Sequence, residues 1–227
     1  MIDHHFHLYP KQETSPLLCL PGDAGMTGDE AVALLDSSGI ESAWVFGYPL
    51  PDSREQNRYV FAESKKYQTR LSPVPIIGDD LEKWLCDGAI AVKEHVYGQR
   101  RKWEFDSSWT HQYRAVESAG VPLIIHLGPD AVERLSLILN CAPGLRIIAA
   151  HLGWHFEWGK HPTCQDVEPI LQFLAEHGLS ADTSALGSQD ADVIALAREM
   201  LGDERVLWGS DTPTDGVLLS RAMVEAL

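Results

Sequence analysis

Positive charge is what this 227-residue sequence has least of: 18 Lys and Arg stand against 33 Asp and Glu, a formal net charge of -15. A surface of that sign repels phosphate backbones, which argues against nucleic acid as a partner unless a local basic patch overrides it. No apolar run approaches the roughly 20 residues of a membrane span. The start carries Asp3 and no cationic, apolar leader, so the expected address is cytoplasmic. The four cysteines, Cys19, Cys86, Cys141 and Cys164, are scattered and form no CxxC pair, as expected of reduced thiols. There are no internal repeats, low-complexity tracts or linker-like shifts of composition, so residues 1–227 read as a single domain. What remains is a chain that is 44% hydrophobic and 8% aromatic, enough for one sizeable core, with an unusually high count of ten histidines.

Apolar runs and helical patterns alternate along the whole chain. Strands are expected at 2–8, 42–48, 71–77, 89–96, 121–127, 145–152, 179–184 and 206–210. Helices are expected after each of them, at 27–38, 52–67, 79–87, 107–119, 130–140, 167–177, 190–201 and 217–227. Thr27 and Glu30 form a capping box at the first helix, and Gly39 stops it. Eight right-handed βα units with continuously apolar strands predict an α/β fold, a closed (β/α)8 TIM barrel of parallel strands. The competing doubly wound open sheet calls for a Gly-rich phosphate turn after the first strand, and His5 and His7 stand there instead.

In such a barrel chemistry collects at the C-terminal ends of the strands. Strand one ends in His5 and His7, which alternation points the same way, roughly 7 Å apart along the backbone. Strand four ends in Lys93-Glu94-His95, strand five in His126, strand six in His151 and strand eight in Asp211. Any one such His alone is more often a hydrogen-bonded strand terminator than a ligand, and Asp211 alone could merely cap the turn at Thr212-Pro213. Together, imidazoles and a carboxylate at one barrel mouth suit a divalent ion. His4 falls on the opposite face of its strand and is not counted.

The segments IDHHFHLYP, IIHLGP, AAHLGW and WGSDTP resemble the signatures of the amidohydrolase superfamily, most closely its amidohydrolase-related (amidohydrolase-2) branch, in the same order over residues 2–213. The resemblance implies a metal held by His5, His7, His126 and Asp211, with His151 as a catalytic imidazole that polarises the substrate or steadies its developing charge. Many superfamily members carry a bridging lysine or glutamate for a second metal on strand four. Here Lys93 and Glu94 are adjacent, so only one can face inward. AVKEHV resembles the K-x-H strand of the branch, which places Lys93 and His95 on one side and Glu94 on the other and favours one ion. Zinc is the expected ion, with manganese, iron and cobalt open because imidazole and carboxylate suit them too.

The function this implies is hydrolysis of a small-molecule amide, lactone or ester by a metal-activated water, with Asp211 as base and His151 stabilising the oxyanion. Substrate contacts are expected from Trp154, His155 and Trp158 in the loop after strand six and from Arg100 and Arg101 after strand four, and Lys93, Glu94 and His95 are candidates for a second metal or for substrate. The Tyr9–Met26 loop is a candidate lid. Decarboxylation of an aromatic or unsaturated acid is the alternative within the branch. A metal-dependent nuclease barrel is disfavoured by charge, and a non-catalytic metal-binding barrel is the alternative of another class. Expected partners are a small-molecule substrate, no nucleic acid and no membrane, with self-association left open.

Overall fold

The computed structural model describes residues 1–10, 25–48, 53–95, 107–154 and 161–212. Eight strands and seven helices run through them. These are β1 (Ile2–His7), α1 (Gly28–Ser38), β2 (Ser42–Phe46), α2 (Ser53–Lys66), β3 (Leu71–Pro73), α3 (Leu81–Cys86), β4 (Val92–His95), α4 (Ser107–Ala119), β5 (Leu123–His126), α5 (Ala131–Cys141), β6 (Ile147–Ala149), α6 (Cys164–Glu176), β7 (Ser180–Asp182), α7 (Ala191–Leu201) and β8 (Val206–Leu207). The helix expected at 217–227 lies outside the described residues.

Every strand pair is parallel, in two ladders ordered β1-β2-β3 and β4-β5-β6-β7-β8. Backbone hydrogen bonds join the ladders at both seams. Beyond β3, Lys93 N–H donates to the Pro75 carbonyl and Ile77 N–H to the Lys93 carbonyl, both at 2.8 Å. Beyond β8, His7 N–H donates to the Thr212 carbonyl at 2.7 Å and Asp211 N–H to the His5 carbonyl at 2.8 Å. The strands thus follow one another in chain order round a (β/α)8 TIM barrel. The second seam ties the ligand-bearing end of β1 directly to Asp211.

Period-two alternation sorts the side chains. Phe46, Val74, Ala91, Ile124, Ile148 and Ala150 make a small cluster inside the barrel. Their neighbours Val92, Leu123, Ile125, Ile147 and Ala149 point the other way into the layer covered by α4 to α7. The paired strands are shorter than the apolar runs that announced them, β6 spanning three residues and β8 two. Burial on both faces keeps a residue apolar beyond the last ladder bond, so hydrophobicity overestimates pairing. Helix starts follow local chemistry. Glu30 accepts from Thr27 N–H at 2.9 Å and Thr27 Oγ accepts from Glu30 N–H at 3.3 Å, the expected capping box. The Asp166 carboxylate accepts from Thr163 N–H at 2.8 Å and starts α6 three residues before the expected Val167.

Candidate metal centre

Phe6 packs into the outer core against Ala31 and Leu35 of α1, so its neighbours His5 and His7 face the barrel interior, as alternation requires. Both are buried. His4 is half-buried on the far side, its Nδ1 3.1 Å from the Trp208 carbonyl and its ring edge-on to Trp44.

The Nε2 atoms of this pair meet one carboxylate. Asp211 Oδ1 lies 3.0 Å from His7 Nε2 and 3.2 Å from His5 Nε2. On the other side of each ring, His5 Nδ1–H donates to Asp182 Oδ2 at 2.8 Å and His7 Nδ1–H to the Gly47 carbonyl at 3.3 Å. Carbonyls and ionised carboxylates only accept, so each Nδ1 carries the proton and each Nε2 keeps its lone pair. Two lone pairs and a carboxylate oxygen, all within 4.8 Å of one another, fit a divalent ion. The acceptors behind the rings are the supports that such ligands need. This is the one such cluster of three among the described residues.

His126 stands beside that group and not in it. Its Nδ1 lies 3.1 Å from His151 Nε2, and His151 Nδ1–H donates to the Ser184 carbonyl at 2.9 Å. The chain of donors therefore runs from His126 through His151 to Ser184, leaving the lone pair on His126 Nε2. Alternation along β6 would have turned His151 towards the helices, since Ala150 already faces inward. A left-handed backbone at His151 (φ 55°, ψ 38°) and Leu152 (φ 55°) ends the strand and brings the imidazole over the mouth. Asp211 is likewise left-handed, at φ 60°. Such conformations cost energy in non-glycine residues and gather where the surrounding contacts enforce them.

β4 divides as alternation demands. Lys93 is buried inside the barrel with Nζ 3.3 Å from His5 Nε2, and the His95 ring lies 4.3 Å from that of His126. Glu94 points outward, where Tyr113 and Arg134 donate to its carboxylate. Glu94 is thus away from the site, and Lys93 and His95 line it.

Asp182, at the end of β7, was not among the residues singled out from sequence. Besides His5, it accepts from the backbone N–H groups of His151 at 3.0 Å and Ser184 at 3.1 Å, and from the Ser184 hydroxyl. The rule that found the other strand ends applies to it, but Thr183 and Ser184 follow where the others run into Gly or Pro. Asp3 lies below His5 and accepts through Oδ1 from the N–H groups of His5 and Ser210, both at 3.0 Å. Trp154 is half-buried and packs on the outer core. Arg100, Arg101, His155 and Trp158, and most of the Tyr9–Met26 loop, lie outside the described residues.

Burial and crowding shape the charges of these side chains. Burial pushes Lys93 down to about 8 and His151 down to about 4. Burial and the neighbouring cations hold His95 and His126 well below the ordinary imidazole value. Burial also lowers His7, against the pull of Asp211. For His5, burial and Lys93 are outweighed by Asp182, and the imidazole is raised. Burial opposes ionisation of Asp182 and Asp211, yet the surrounding imidazoles hold both below the usual carboxylate range. Asp3, with less compensation, is raised by burial to about 7.

The model of a family described as amidohydrolase matches residues 2–221 of the chain. No curated protein matches it. Among solved structures, a probable 2-pyrone-4,6-dicarboxylic acid hydrolase from Acinetobacter baumannii, with citric acid bound, superposes with a TM-score of 0.73 at 17% identity, covering 99% of this chain and 90% of that one. The 5-carboxyvanillate decarboxylase of Sphingomonas paucimobilis gives 0.70 at 15% identity, covering 99% and 91%. A dihydroxybenzoic acid decarboxylase from Polaromonas, with bound manganese and 2-nitroresorcinol, gives 0.67 at 18%, covering 95% and 87%.

Proposed function

The chain belongs to the amidohydrolase family, whose members are metal-dependent enzymes, and from that premise we propose that it hydrolyses an ester, lactone or amide bond of a small molecule. The observation that carries the reading is the convergence of His5 Nε2, His7 Nε2 and Asp211 Oδ1 at a barrel mouth. His5, His7 and Asp211 would hold one divalent ion, with His126 Nε2 as a further ligand. Zinc suits this donor set, and manganese, iron and cobalt share it. When bound there, the ion supplies Lewis-acid polarisation of a carbonyl and acidifies a water molecule.

The side chains divide the remaining work. Asp211 is ionised at neutral pH, its pKa held well below the usual carboxylate range by the imidazoles gathered round it. It takes the proton of the attacking water at a carboxylate oxygen and returns it to the leaving group. A neutral His151 offers Nε2 to His126, so it first orients that imidazole. It steadies charge on a substrate oxygen only when Nε2 carries a proton. Lys93, beside His5 inside the barrel, adds positive potential where negative charge develops.

Decarboxylation of an aromatic acid is the second reading, and the decarboxylases among the structural neighbours support it. One experiment separates the two. Metal-reconstituted protein is offered 2-pyrone-4,6-dicarboxylate, a cyclic ester, alongside 5-carboxyvanillate and 2,6-dihydroxybenzoate, with ring opening followed by absorbance and carbon dioxide by coupled assay. Turnover of the lactone without gas release is the expected result. Gas release from an aromatic acid, with the lactone untouched, selects the second reading. Asp211→Asn should lower the rate by roughly 10²–10⁴-fold, the usual weight of a positioned proton acceptor. Full turnover in that variant with metal still bound would remove Asp211 as the base.

A further inference from the structure

Tyr9 extends the inward-facing series of β1 beyond the metal ligands. Leu8 packs into the outer core with Ala31 and Leu35, and its N–H donates to the Phe46 carbonyl at 2.8 Å, so extended pairing continues past His7. Tyr9 therefore shares the face of His5 and His7. It is only 2% exposed, yet it belongs to none of the three apolar clusters. Its ring lies 5.8 Å from that of Tyr48, which in turn lies 5.6 Å from the ring of His7. Its hydroxyl is buried and finds no hydrogen-bond partner among the described residues. A buried phenol left without an acceptor costs the fold stability, and a ligand bringing an acceptor oxygen recovers the loss.

We propose that Tyr9 is a substrate-binding residue of this mouth, its hydroxyl donating a hydrogen bond to a carbonyl or carboxylate oxygen of the small molecule held against the metal centre. The assignment rests on the mouth being the active site, as proposed above. It gives the tyrosine a role that phenylalanine cannot fill and that the fold itself does not need. The O–H would read the presence of an acceptor oxygen at a fixed place beside Asp211, contributing selectivity between substrates of similar shape.

The test is Tyr9→Phe in the full chain reconstituted with metal, with citrate and 2-pyrone-4,6-dicarboxylate as probes. Without a ligand, the variant should melt at the wild-type temperature or about 2–4 °C above it, because an unpaired buried hydroxyl has been removed. The dissociation constant for at least one probe, by calorimetry, should rise about tenfold, the weight of one hydrogen bond to a charged oxygen. A variant that melts several degrees lower shows that the hydroxyl already serves the fold, and overturns the proposal. Equal probe affinities in the two proteins also overturn it, leaving the mouth as active site intact. A metal-loaded wild type that binds neither probe removes this acceptor chemistry and counts against the mouth as the active site as well.

Discussion

Asp182 holds more of the centre together than any residue the sequence advertises. One carboxylate accepts from His5 Nδ1, from the His151 backbone and from Ser184, so it fixes a ligand tautomer and the left-handed turn that presents His151. Asp182→Asn is close to isosteric but can face His5 with an amide donor, driving the imidazole proton to Nε2 and blocking the lone pair. Metal affinity should fall roughly 10–100-fold, the usual cost of losing a carboxylate behind a ligating imidazole. Competition against a chromophoric chelator measures it, with far-ultraviolet circular dichroism as the control for folding. Unchanged affinity would show that His5 does not depend on this partner. Residues of this kind are hard to read from sequence. His5 and His7 were legible because strand alternation alone puts them on one face. Inward presentation of His151 needs positive φ at two non-glycine residues, which no periodicity announces.

At the scale of the element, β4 shows what the alternation rule can and cannot deliver. It puts Lys93 and His95 on one face and Glu94 on the other, and the resemblance to a K-x-H strand, not alternation, favours the inward pair, without knowledge of what Glu94 meets. The partners come from two helices, Tyr113 of α4 and Arg134 of α5, and all three side chains are buried. Such a pairing across 40 residues is invisible to local pattern. Its energetics are those of a buried ion pair: removing one member strands the other charge and costs about 3–5 kcal/mol. Arg134→Met should therefore lower the urea midpoint sharply. The triple variant Glu94→Leu, Arg134→Met, Tyr113→Phe, which leaves no buried polar group behind, should recover most of the loss. A single variant costing less than about 1 kcal/mol would mean that β4 is not anchored through this pair. Element order and type were legible throughout the described residues, because a run of Val, Ile and Leu bounded by Gly or Pro has few other readings. Strand ends were not, since burial on both faces continues where hydrogen bonding stops.

For the molecule as a whole, the imidazoles gathered inside the barrel couple folding to pH. Four of them, His7, His95, His126 and His151, and His4 on the outer face of β1, are lowered chiefly by burial, and His151 lies near 4. In the unfolded chain each takes a proton near its ordinary value of about 6.5. Below that pH the unfolded state binds protons that the folded state refuses, so these groups stabilise the fold above about 6.5 and lose that contribution as pH falls towards 4. Three groups act the other way, the raised imidazole of His5 and two carboxyls. Asp3, raised to about 7, and Glu94, also raised, are protonated in the folded state at pH values where the unfolded chain leaves them ionised. Over the window from 6.5 to 4 the five lowered imidazoles outnumber the three raised groups. Stability of the metal-free protein should therefore decline on acidification, by up to about 1.4 kcal/mol per pH unit for each proton of net difference. Metal deepens the effect, because its imidazole ligands must be unprotonated to bind it. Urea titrations of metal-free protein at pH 7.5, 6.0 and 5.0 measure the slope directly. A free energy of unfolding that stays level or rises as pH falls from 6.5 to 5 would mean that the buried histidines accept protons within the fold. The electrostatic picture of the centre, including an imidazole chain held neutral beside an ionised Asp211, would then need to be redrawn.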